Sequence, residues 1–118
     1  MEEAAEFIAA LLHSSTITHF MHLATGSFSE HSALGEFYDE IIELTDRYAE
    51  AYMGKYEQIK KFPDEFHTAK DPVKYLTGLK EFVSECRKEL PQDTELQNII
   101  DEIADLINST LYKLRFLS

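Results

Sequence analysis

The chain has 118 residues, 44% of them hydrophobic, and its 22 Asp and Glu against 11 Lys and Arg give a net charge of −11. That length suits one domain with a real core and no covalent or metal staples, so 1–118 is read as a single domain. Every basic residue lies at Arg47 or beyond, and so acidic a surface argues against direct nucleic-acid binding and against a membrane-surface role.

The single cysteine, Cys86, cannot form an internal disulfide and reads as a buried helix residue. With no basic-then-apolar leader and no long apolar run, the expectation is a soluble protein of a reducing compartment, the cytoplasm.

The first predicted helix runs from about Glu2 to Thr25, with Phe7, Ile8, Leu11, Leu12 and Leu23 recurring at threes and fours, and Gly26 ends it. A second opens at Ser27 or Ser29, where Ser27 and Glu30 have capping-box spacing. Phe37, Ile41, Leu44, Tyr48, Tyr52 and Ile59 carry it to about Lys61, and Pro63 closes it. The stretch from Phe62 to Lys70 has no periodicity and reads as the one substantial connection.

Asp71 followed by Pro72 is a start signal, an N-cap with proline at the first helical position. Val73, Leu76, Leu79, Phe82, Val83, Cys86 and Leu90 make the third helix, which Pro91 stops. Thr94 with Gln97 has the spacing to cap a fourth, whose apolar face runs from Leu96 through Ile103 to Leu114. No segment reads as a strand. The predicted fold is all-α, an antiparallel four-helix bundle with short first and last turns and a longer middle connection.

Candidate chemistry concentrates in the first half. His19, His22 and His31 fall within thirteen residues, and the stripe beginning at His31 carries Asp39, Asp46 and Glu50 on one face of the second helix. Imidazole with carboxylate is a donor set for iron, manganese or zinc. The reversal at Gly26 brings the histidines together, but Asp46 and Glu50 lie about 22 to 28 Å along the helix from His31 at about 1.5 Å per residue. They can join a histidine site only if the second helices of two copies pack antiparallel about a two-fold axis, which predicts a homodimer through the first two helices. Ile42 and Met53 share the stripe and point to its partial burial. Gly35 lies inside a helix at a cost of about 1 kcal/mol against Ala, so something approaches closely there, a packed helix or a ligand. His67 reads as a surface residue of the connection, and Tyr38, Tyr48, Tyr52 and Tyr56 as core or interface residues.

The spacing of His19, Phe20, His31, Asp46 and Glu50 resembles the ferroxidase signature of Dps proteins, the miniature members of the ferritin-like superfamily. The resemblance covers the segment from His19 to Tyr56 and implies iron bound, and oxidised, between two-fold related subunits. It departs from that family at Gly35, where Dps has a carboxylate, in the shorter middle connection and in lacking a basic DNA-binding tail, so it does not carry the hollow shell. The stretches HFMHLATGSFSEH, YDEIIELTDRYAEAYMGKY and LQNIIDEIADLINSTLYKLRFL are similar to a family of small proteins encoded largely by tailed bacteriophages. This second resemblance implies a bacterial host cytoplasm and brings no reaction.

Two readings follow: a Dps-like metal-binding protein with ferroxidase-like activity, or a metal-free acidic helical module, a phage factor engaging a host protein. Catalytic triads, phosphate loops and cysteine zinc motifs are absent from the sequence, so hydrolytic or nucleotide-dependent chemistry has no support.

Overall fold

A computed structural model describes residues 2–117 and consists of four helices, α1 (Glu2–Ala24), α2 (Phe28–Lys55), α3 (Pro72–Glu89) and α4 (Thr94–Phe116). No strand occurs among the described residues. Two of the starts follow local chemistry. The Ser27 hydroxyl accepts the Glu30 N–H at 3.3 Å, and the Asp71 carboxylate accepts the Lys74 N–H at 3.2 Å behind Pro72, each satisfying a donor that a helix leaves free in its first turn.

The start of α4 differs from the expected Thr94–Gln97 box. Asp93 is the N-cap and its side chain makes no capping bond, because that carboxylate is held by the Tyr56 phenol at 2.5 Å and the Lys55 ammonium at 3.2 Å. The Gln97 amide instead donates to the carbonyls of Arg87 and Pro91, at 3.1 and 3.0 Å, and so closes the α3–α4 turn.

Neighbouring helices contact one another in opposed directions. From α1 to α2 the contacts run Phe7 on Tyr48, Ser15 on Tyr38 and His22 on His31. From α2 to α4 they run Glu36 with Lys113, Arg47 with Glu102 and Lys55 with Asp93. These ion pairs are largely exposed, worth at most about 1 kcal/mol each, so they record the register rather than create it. On the other side, α3 meets α4 through Arg87 and Asp101 and meets α1 through Phe7 and Phe82. The pairs α1 with α4 and α2 with α3 make no close backbone contact and occupy diagonal corners.

This placement explains the connection. Because α3 begins at the end of the molecule opposite to where α2 finishes, residues 56–71 must run back along it. Fully extended at about 3.3 Å per residue they reach about 50 Å, and the longest dimension is 44 Å. Ile59 anchors the segment at one end beside Ala5, and Ala69 packs on the cluster of Ile17, Met21 and Leu34 at the other. The second helix therefore ends at Lys55, short of the expected Lys61. Ile59 is buried as a loop anchor, its N–H on the Met53 sulfur at 3.2 Å, and not as a helical core position.

The main core joins all four helices through Phe7, Leu11, Phe37, Ile41, Leu76, Ile100 and their neighbours. Leu12 and Leu23, expected on the inner face of the first helix, are exposed. The reason is that the apolar residues of α1 are not confined to one stripe, so periodicity alone does not say which face turns inward.

Candidate functional site at the first interhelical turn

The three candidate histidines do come together. The rings of His22 and His31 stack with centroids 3.6 Å apart, and His19 lies 6.1 Å from His22 while stacking on Tyr38 at 4.0 Å. His22 Nδ1 is 2.5 Å from the His31 carbonyl and His31 Nδ1 is 2.9 Å from the His22 carbonyl. A carbonyl oxygen only accepts, so each ring carries a proton on Nδ1 and keeps Nε2 free. The bond from His31 falls on a carbonyl of the last turn of α1, where helix carbonyls lack intrahelical partners. The pair is therefore a reciprocal clasp that closes the α1–α2 turn.

Small residues let the two helices approach. A Cβ on Gly35 would stand 3.0 Å from His22 Cε1, so the imidazole itself is what the glycine admits. Ser15 donates across to the Tyr38 carbonyl at 2.9 Å, while buried Ser14 and Thr18 turn their hydroxyls onto carbonyls of α1 itself.

The carboxylates are placed otherwise. Asp39, Asp46 and Glu50 are exposed on the outer side of α2, and Ile42 beside them is exposed too, so the partial burial expected for this stripe holds only at Met53, which packs against the main core. Among the described residues no group of three His, Cys, Asp or Glu stands close enough to hold a metal ion. The histidines and carboxylates thus share a surface without sharing a site in a single chain. No helix among the described residues is long and apolar enough to cross a membrane.

Beside the clasp lies a feature that the reading of motifs passed over. Residues 7–29 contain no Asp, Glu, Lys or Arg, yet Phe20 is 62%, Leu23 68% and Phe28 81% exposed. Leu12, Thr16, His19 and Leu23 recur at fours and threes along the outer face of α1, all but His19 and Thr16 apolar. The gap in charge was visible in the sequence as the signal for it.

The model of a family of unknown function (DUF5856) matches residues 22–114. The chain belongs to this family. The DUF5856 match includes His22, His31, Gly35 and the three carboxylates of α2. This DUF5856 chain is also similar, at 26% identity over 116 residues, to a protein of Enterobacteria phage T4 described as an uncharacterized 14.6 kDa protein in the mobD-ri intergenic region. The alignment covers 95% of this chain and 88% of the phage protein. No solved structure matches. The similarity to phage proteins read from the sequence is supported at this level, and the matches add nothing to the Dps resemblance.

Proposed function

We propose that this chain is a phage-type helical interaction protein of the bacterial host cytoplasm. In this reading it forms a homodimer through the outer faces of α1 and α2 and presents its acidic remainder to a host protein. The observation that carries the reading is the charge-free stretch 7–29 with Phe20, Leu23 and Phe28 exposed. Exposed large apolar side chains grouped in a charge-free stretch mark a contact surface. With a net charge of −11, two copies repel across most faces; the stretch 7–29 brings no carboxylate to a contact, whereas the outer side of α2 brings Asp39, Asp46 and Glu50.

The test is sedimentation across a concentration series for the parent protein and for Phe20→Glu with Leu23→Glu. A concentration-dependent dimer that the double variant abolishes supports the reading. A parent protein that stays monomeric at high concentration removes the second copy.

A second reading has its own support. The helix neighbours and single long crossover accord with a ferritin-like bundle, and in a two-fold dimer His19, His22 and His31 of one copy approach Asp39, Asp46 and Glu50 of the other. The free Nε2 atoms of His22 and His31 are oriented by their Nδ1–H bonds as ligating histidines usually are. Iron, or manganese or zinc, would fit this donor chemistry, with ferroxidase-like activity as its extension. Metal content after anaerobic incubation with Fe(II) or Mn(II) tests it: loss of bound metal in Asp46→Ala supports the shared site, and no bound metal in a folded dimer ends it.

A further inference from the structure

We propose that the end of the bundle where α1 and α4 finish and α2 and α3 begin seats on a lipid bilayer surface that carries anionic headgroups. The four helices meet at this end: Leu114, Tyr75 and Ala69 pack on Ile17, Met21 and Leu34, and Lys113 holds Glu36. The proposal does not rest on a dimer, because Tyr112, Phe116 and Leu117 belong to α4 and its C-cap, outside the faces of α1 and α2.

Two segregations coincide here. Among the described residues, the large apolar side chains at least 50% exposed are Phe20, Leu23, Phe28, Tyr112, Phe116 and Leu117, and all of them lie near the helix termini of this one end. Charge is sorted the same way. Residues 16–36, 69–80 and 108–117, which make up this end, hold five Lys and Arg against three Asp and Glu, whereas the rest of the chain holds six against nineteen. Of those three acids, Glu36 is held by Lys113 and Asp71 caps α3. The net charge of −11 therefore describes the body of the molecule and not this end. Along α2 the first carboxylate beyond Glu36 is Asp39, about 16 Å from Phe28 at about 1.5 Å per residue. That is roughly two screening lengths at physiological salt.

The occupant follows from what each surface offers. The opposite end of a second copy, with Glu2, Glu3, Glu57, Glu89 and Glu95, answers the cations, but no large apolar side chain of comparable exposure lies there. The same end of a second copy answers the apolar groups and opposes the cations. The clefts lined by Ile59, by Gly78 and by Gln92 include none of the six apolar side chains, so this end offers no pocket to anchor a protein partner. A bilayer interface needs no matching pocket. It takes apolar side chains about 5 to 10 Å deep and attracts Lys and Arg through its anionic headgroups. No helix among the described residues can cross the bilayer, so the contact is peripheral and the acidic body of the molecule, 44 Å in its longest dimension, stands away from the surface.

The experiment is flotation with vesicles of phosphatidylcholine alone and with about one third phosphatidylglycerol. It compares the parent with Phe28→Glu, Phe116→Glu, Ile42→Glu and the pair Lys74→Gln with Arg115→Gln. All five positions are exposed, so circular dichroism should match the parent. Binding to the anionic vesicles is expected to be about tenfold tighter than to neutral ones and to weaken with added salt. Phe28→Glu and Phe116→Glu should each lower it about tenfold, Ile42→Glu on the outer side of α2 should leave it unchanged, and the Lys74 and Arg115 pair should lose the preference for anionic vesicles. No binding at millimolar lipid, equal binding to neutral vesicles, or unchanged binding by Phe116→Glu would overturn the proposal. A change in the sedimentation of Phe116→Glu without vesicles would overturn it too, by making this end a contact between copies. Vesicle binding by a parent protein that sediments as a monomer would support it while removing the dimer.

Discussion

A methyl group on the Cα of Gly35 would stand 3.0 Å from Cε1 of His22. Helix propensity alone says that Gly35→Ala gains up to about 1 kcal/mol. Displacing a stacked, doubly engaged imidazole costs more, so the substitution is expected to destabilise by about 1 kcal/mol or more. In a His22→Ala background the same change should stabilise. Urea unfolding of the four proteins of this cycle measures the coupling; additive effects would mean that the ring is not what the glycine accommodates.

The clasp and the carboxylate stripe should separate in stability. His31→Ala removes the donor to the His22 carbonyl and frees its partner ring, an expected loss of about 1 to 3 kcal/mol. Asp46 is exposed, and Asp46→Ala should stay within about 0.5 kcal/mol. Equal losses in thermal unfolding would contradict the assignment of the histidines to the turn.

Tyr48 is fully buried and its hydroxyl has no hydrogen-bond partner, while burial raises the phenol far above its ordinary range. Tyr48→Phe keeps the ring contact with Phe7 and removes the unpaired group. A gain of about 1 kcal/mol in denaturant unfolding is expected, and a clear loss would reveal a partner for that hydroxyl.

The ends of α2 and α4 are tied by a pH-sensitive clamp. The hydrogen bond from Tyr56, then that from Lys55, holds the Asp93 carboxyl below the usual carboxylate range, and the bond to Asp93 raises both Tyr56 and Lys55. A lowered acid contributes stability above its unfolded value of about 4 and loses it as pH falls through the folded value; raised Tyr and Lys contribute below about 10 and lose it as pH rises. The stability difference between the parent and Tyr56→Phe should therefore be widest near neutrality and narrow toward both extremes. A difference constant across pH in urea unfolding would rule the clamp out.

Much of the helical layout was legible because its signals act within one turn. Ser27, Asp71 with Pro72, and Pro91 each satisfy or remove backbone donors locally, and they mark boundaries that the structure keeps. The histidine cluster was legible too, since a reversal at Gly26 leaves His22 and His31 no other place. Asp93 was not recognised as the start of α4 because its carboxylate serves Lys55 and Tyr56, the last residue of α2 and its C-cap.

By itself, then, the sequence determined four helices, an acidic surface, a charge gap at residues 7–29 and a glycine where something must come close. Only the tertiary structure decided that this something is His22, that Leu12 and Leu23 face outward, and that α2 stops at Lys55. The physical reason is range. Capping and periodicity are set by neighbours within a turn, whereas which apolar face is buried and which glycine has a neighbour depend on residues brought together from other helices, and on a loop that crosses the length of the molecule.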